Sequence, residues 1–233
     1  MKGFRVFFLC SLFGCIAGCE MPGSRGKESP GSTYLDYKIW GNENDDEVTI
    51  LLQFLDGGIY GNTMLLEPPA EVLLDGKPLS ADSSRMTGAF YEARATIESF
   101  LGQHEILFRD SNGREYRETF HFKRVNMVSE LPGQMVRGDI IIELEGLASV
   151  DYVRLLLTDT AFNSQGINRL DTLRNGRMLI SRQDLNHLVN GPVHMELIWE
   201  EEKMVKEMPE AGGKISVSYG LSREFLLVDN LIR

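Results

Sequence analysis

After Cys19 the chain has no cysteine. All three, Cys10, Cys15 and Cys19, stand within ten residues of one another, and none follows in the rest of the 233. That excludes a disulfide framework, a cysteine-based metal site and a thiol nucleophile from everything beyond residue 19. Long hydrophobic runs are missing too. The longest begins at Val6 and stays uncharged to Cys19; at about a dozen residues it is shorter than the roughly 20 a membrane-spanning helix needs. Positive charge is scarce: 24 Lys and Arg stand against 34 Asp and Glu, for a formal charge of −10. A nucleic-acid partner, which requires a basic face to displace counterions, is excluded, and so is adhesion to anionic lipid by charge.

Catalytic signatures are also lacking. Zinc hydrolases need two His one helical turn apart with a Glu between them; the four His, at 104, 121, 187 and 194, contain no such pair. His121 alternates out of phase with Phe120 and Phe122 and is expected at the surface. No G-x-S-x-G elbow presents a serine, and no glycine-rich loop precedes a helix. The runs Glu43–Glu47 and Glu200–Glu202 could offer oxygen ligands to calcium, but without the EF-hand spacing they read first as solvated strand ends. No cofactor and no metal site is expected, and the protein is read as not an enzyme.

What is present begins at the N-terminus. Lys2 and Arg5 precede the apolar run, and the small residues Ala17 and Gly18 stand just before Cys19. Charged, apolar, then small is the order of a secretory signal peptide. The stretch Ile16-Ala17-Gly18-Cys19 resembles the lipobox of bacterial lipoproteins. In that family the Cys thiol carries diacylglycerol, the chain is cut before the Cys, and the new amine is acylated. The alternative is an ordinary signal peptide with a chance cysteine. The resemblance implies a leader over 1–18, lipidation at Cys19 and a membrane-lipid partner through that residue. Losing Lys2 and Arg5 with the leader moves the formal charge from −10 to −12. Glu20, where the family's inner-membrane members carry Asp, implies the outer membrane. No acidic cluster follows to mark surface display, so a periplasm-facing position is favoured. Residues 19–33, rich in Gly, Ser, Pro and charge, cannot bury enough apolar surface to order themselves and read as a flexible tether.

Beyond the tether the pattern has period two. In DEVTILLQFLD, residues Val48, Ile50, Leu52 and Phe54 share a face. Asp75-Gly76 between short apolar runs signals a hairpin, and Asp110–Gly113 signals another turn. Tyr116, Phe120 and Phe122 share the face of a return strand. Strand-like segments recur after a lapse over Val125–Arg137: GDIIIELEGL, DYVRLLLTD, NGRMLI, PVHMELIWE, GKISVSY and REFLLVD. Trp199 falls on a core face, as do Ile215, Val217 and Tyr219. One short helix is expected near 182–189: Ser181 and Asp184 have capping-box spacing, Leu185, Leu188 and Val189 follow, and Asn190-Gly191-Pro192 ends it.

Short strands at roughly ten-residue spacing with turn chemistry between them indicate a mainly β fold, here two antiparallel β-sandwich domains over 34–125 and 126–233. The segments VLLDGKPL, GAFYEA and GQHEILFRDSNGREYRETFHF resemble the immunoglobulin-like domains of bacterial envelope lipoproteins. Such domains act as spacers, adhesive modules or docking modules, and fold alone does not choose among these. The expected function is a lipid-anchored, non-catalytic accessory or docking protein whose partner is another envelope protein. The alternative is a glycan-binding accessory lipoprotein that contacts polysaccharide through Trp40, which lies near Tyr34 and Tyr37. Arg223 and Glu224, next to Tyr219, are a similar case, and the alternative for them is a cross-strand surface charge pair.

Overall fold

The computed structural model describes residues 33–148 and 151–229. The expected leader, the lipidation residue Cys19 and the tether as far as Ser32 lie outside the described residues. Thr33, the last residue assigned to the tether, already belongs to the first strand.

Among the described residues the fold is mainly β, with several antiparallel pairings and one short α-helix. In chain order the strands are β1 (Thr33–Asn42), β2 (Glu47–Asp56), β3 (Asn62–Thr63), β4 (Glu71–Leu74), β5 (Lys77–Pro78), β6 (Ala81–Ser84), β7 (Gly88–Thr96), β8 (Gly102–Arg109) and β9 (Glu115–Phe122). There follow β10 (Asn126–Met127), β11 (Gln134–Val136), β12 (Ile140–Glu145), β13 (Tyr152–Thr158), β14 (Ile167–Thr172), β15 (Arg177–Ile180), the helix α1 (Arg182–Asn186), β16 (Gly191–Met204) and β17 (Gly213–Val228). A single 3₁₀ turn, Ile97–Phe100, links β7 to β8.

One ten-stranded sheet runs β14-β13-β16-β17-β1-β2-β7-β6, with β3 attached to β2 and β11 to β17. Strands from either side of the expected boundary at residue 125 are therefore hydrogen-bonded in a single sheet. A four-stranded sheet, β5-β4-β8-β9, covers one part of it, and a three-stranded sheet, β10-β12-β15, adds Ile142, Leu144, Met178 and Ile180 to the same core. The alternation read in β2 is real: Val48, Ile50, Leu52 and Phe54 are fully buried. The Phe54 ring lies 4.8 Å from Phe108 of the covering sheet and 5.5 Å from Tyr91. Trp199, Ile215, Val217 and Tyr219 are core residues, as their phase indicates. The turn at Asp75-Gly76 places both residues at positive φ, 49° and 76°, the geometry whose twist matches a two-residue hairpin.

Strands β16 and β17 are unusually long, 14 and 16 residues. At about 3.3 Å per residue, β17 extends roughly 50 Å. One edge of β17 is taken by β16. The other edge holds β1, parallel, along Gly213–Gly220, and then β11, also parallel, along Leu226–Val228. This hairpin is the axis on which both layered regions are built.

The helix is shorter than expected. Ser181 accepts from the Asp184 backbone N–H, and the Asp184 carboxylate accepts from the Ser181 N–H, so the capping box forms with Asp in place of Glu. Leu185 and Leu188 are buried, but the α-helix ends at Asn186 and Val189 is exposed. Among the described residues, no helix is long and apolar enough to cross a membrane.

Candidate binding face

Trp40 stands near the C-terminal end of β1, on the outward face of the ten-stranded sheet. The face follows from alternation: Leu35, Tyr37 and Ile39 point into the core with near-zero exposure, so Asp36, Lys38 and Trp40 point out. Trp40 is 39% exposed. It pairs with Ser218 on one side and Thr49 on the other. Ser218 in turn pairs with Glu200, and Thr49 with Arg94. Directly paired residues share a face, so Glu200, Ser218, Trp40, Thr49 and Arg94 form one row across five strands. The adjacent row runs Leu170, Arg154, Ile198, Gly220 and Asn42. Gly220 and Ser218 have little or no side chain, and this leaves the indole uncovered from the β17 side.

The charged fringe of this face is paired. Lys38 lies 2.9 Å from Asp36, Arg94 lies 2.6 Å from Glu92, and Lys214 lies 3.2 Å from Glu202. The hydrogen bond to Glu202, ahead of its charge, holds the Lys214 ammonium pKa above the usual lysine value. Ser216 donates to Glu200 at 3.2 Å. The acidic run read as a solvated strand end is knit to β17. Glu43 accepts from the Ser222 N–H and from Arg223, and the Asn44 side chain donates to Ser222 at 2.8 Å.

Other residues singled out in the sequence separate. Tyr37 is a core residue, and burial drives its hydroxyl pKa upward. Tyr34 shares the face of Trp40 but is covered by the turn at Gly212. Neither extends an aromatic platform around Trp40. Arg223 turns to Glu43, and Glu224 stands 3.7 Å from its cross-strand neighbour His194, so each faces a group on another element and not the other. His104, which the sequence left without a role, stacks on Phe100 at 3.7 Å and is hydrogen-bonded to Asp75 at 2.7 Å. His121 is exposed. A groove of about 410 Å³ lies apart from the Trp40 face, lined by residues including Val128, Glu143, Asn175 and Arg177. Its guanidinium is already held by Glu143 at 2.5 Å.

The row partners of Trp40 were not visible in the sequence, because Ser218 and Glu200 reach it only through the parallel pairing of β1 with β17. The resulting face offers an apolar plate, hydroxyls on both sides and charged groups two strand spacings away, about 10 Å. Such a surface can stack and hydrogen-bond.

No protein-family model and no curated protein matches the chain. Solved structures that align with it include DIP-gamma IG1+IG2, at 9% identity over 81% of this chain and 94% of that one, TM-score 0.23. The Yersinia pseudotuberculosis adhesin InvE aligns at 13% identity over 88% and 61%, TM-score 0.23. SGBP-B of the Bacteroides ovatus mixed-linkage glucan utilization locus, in complex with a mixed-linkage heptasaccharide, aligns at 10% identity over 84% and 60%, TM-score 0.22. The chain spans about six-tenths of the length of the last two.

Proposed function

We propose that this chain is a lipid-anchored, non-catalytic accessory protein of the cell envelope, held at the outer membrane through Cys19, that docks on another envelope protein through the outward face of its ten-stranded sheet. The observation that supports docking is Trp40: a large aromatic left 39% exposed beside charges that are paired with one another. Tryptophan is among the residues most enriched where binding energy concentrates. The anchor rests on Ile16-Ala17-Gly18-Cys19.

A second reading, glycan binding, is favoured by the immediate neighbours of the indole. Ser218 and Thr49 flank it with hydroxyls and Gly220 leaves it open, a combination suited to stacking a sugar ring and hydrogen-bonding its edge.

One experiment separates the readings. Tagged full-length protein is recovered from its native envelope in mild detergent, as wild type and as Trp40→Ala, and each form is run in affinity electrophoresis against a polysaccharide panel. A stoichiometric protein partner that Trp40→Ala loses supports docking. Retardation by a polysaccharide that Trp40→Ala abolishes supports the glycan reading. Identical behaviour of the two forms in both assays overturns the assignment of this face.

A further inference from the structure

The end of the sheet at which the chain departs toward Cys19 is crowned by exposed apolar residues. Thr33 opens β1 opposite Asp56, the last residue of β2. The loop that follows, 57–61, carries Ile59, half-exposed, and Tyr60, 98% exposed. The turn between β6 and β7 carries Met86, also 98% exposed. This turn is fixed beside the first loop: Gln53 donates to the Thr87 carbonyl at 2.9 Å, and Thr63 accepts from the Ala89 N–H at 2.8 Å. The β16–β17 turn reaches the same end, where the Leu35 N–H donates to the Gly212 carbonyl at 3.2 Å, and it carries the exposed Met208. Three separate loops thus present Ile59, Tyr60, Met86 and Met208 at one end. Phe162, fully exposed, lies in the β13–β14 loop beside the start of β16, at the opposite end.

We infer that this crown is a membrane-contacting surface that seats the molecule on the lipid to which Cys19 is joined. The inference rests on the lipid-anchor reading. Thirteen residues lie between Cys19 and Thr33, and even fully extended the segment spans no more than about 50 Å. Acyl chains on Cys19 therefore hold Thr33 within about 50 Å of the bilayer, a reach comparable to the length of β17, so it is the apolar crown, and not the tether alone, that selects this end over the Phe162 end. A tyrosine ring is suited to headgroup level, and the flanking Ile and Met side chains fit the acyl boundary about 5–10 Å deep. The charges around the crown are mostly acidic, Asp56, Asp82, Glu207 and Glu210 against Arg85 and Lys206. The contact is therefore apolar, and attraction to anionic headgroups does not hold it. Seated this way, Trp40 is raised seven residues along β1, about 23 Å from Thr33, and is clear of the lipid.

The test places an environment-sensitive fluorophore on Met86→Cys or on Phe162→Cys in the full-length, processed protein, reconstituted into phosphatidylcholine vesicles with nitroxide-labelled lipid. On the lipobox reading the Cys19 thiol carries diacylglycerol and Cys10 and Cys15 leave with the leader, so no other thiol competes for the label. The Met86→Cys label is expected to shift to the blue and lose about half its emission to the nitroxide, as insertion at the acyl boundary requires. The Phe162→Cys label keeps its emission, and raising the salt changes neither. Equal quenching at both positions overturns the inference. So does a blue-shifted Met86→Cys label that lipid nitroxide does not quench, which would put protein against the crown. Intact mass and fractionation are read first. A chain that carries no lipid and leaves the membrane fraction overturns the anchor reading itself, and the seating with it; a lipidated chain with an unquenched crown overturns the seating alone.

Discussion

The Glu118 carboxylate of β9 lies 3.2 Å from the Lys203 ammonium of β16 and is 1% exposed. Its other oxygen accepts from the Lys206 backbone N–H at 2.6 Å, while Lys203 also donates to the Thr119 carbonyl at 3.2 Å. The edge of the covering sheet is thereby joined to the end of the long hairpin. Glu118→Leu removes the acceptor and leaves the Lys206 N–H without it. Lys203 is one-third exposed and can turn to water, which limits the cost to about 2 kcal/mol. Thermal unfolding should drop by about 6 °C, with Glu118→Gln, which keeps an acceptor, falling less. An unchanged midpoint for Glu118→Leu would show that this junction contributes nothing.

Asp151 contributes to acid sensitivity, alongside Glu115, Asp159 and Asp184, whose pKa values are also lowered. Burial pushes the Asp151 carboxyl pKa up, but the bond from Lys123 at 2.6 Å, the Ala148 N–H and the Trp199 side chain together hold it below the ordinary value. Lys123 also sits over the Trp199 ring, 4.3 Å from its centre. Because the folded value is the lower one, the stabilisation is fully present above the unfolded aspartate value of about 3.9 and is lost as pH falls through the folded value. Urea unfolding measured from neutral pH down through this range should show a steeper acid loss for wild type than for Asp151→Asn. Parallel curves would remove Asp151 from the account.

Gly213 is a packing glycine. A Cβ there would meet Leu35 Cβ at 2.8 Å and the Leu35 carbonyl oxygen at 3.1 Å. Both belong to the strand paired with it, and neither can swing away. Gly213→Ala is expected to cost about 2 kcal/mol by overpacking, whereas alanine at Gly133, which has nothing within 4 Å, should be nearly silent. Denaturant midpoints of the two variants decide it.

A fragment of residues 34–125 keeps β2 beside β1 but loses β17 from its other edge. It also loses Tyr219, whose ring lies 6.2 Å from Phe122. Such a fragment is expected to bind an apolar dye and to unfold without a sharp transition. A cooperative transition with no dye binding would instead make residue 125 the boundary of a self-sufficient domain.

Much of this fold can be read from the sequence because most strands have one dry and one wet face. Alternation in β2 and in Ile215, Val217 and Tyr219 declares the inward side directly, and Asp75-Gly76 and the Ser181–Asp184 box declare their turns and caps. The parallel pairing of β1 with β17 does not announce itself. It joins residues some 178 positions apart, and nothing local in either strand encodes a distant partner. The same holds for the candidate site. Trp40 stands out as a residue, but its row partners follow only from register, and Tyr34 and Tyr37 prove to be covered. The two-residue β10 and three-residue β11 fall where the period lapses, too short to show alternation.

The parallel register of β1 on β17 has a mechanical consequence. Thr33 and Gly213 lie at the same end, and eight consecutive residue pairs, Leu35–Asn42 with Gly213–Gly220, hold the two strands together. A pull on Thr33 against a load at the far end of β17 draws the strands past one another along their length. The ladder then carries the force in shear, with its hydrogen bonds strained together and not peeled one at a time, so the strand that leads to Cys19 is also the fold's grip against being drawn out.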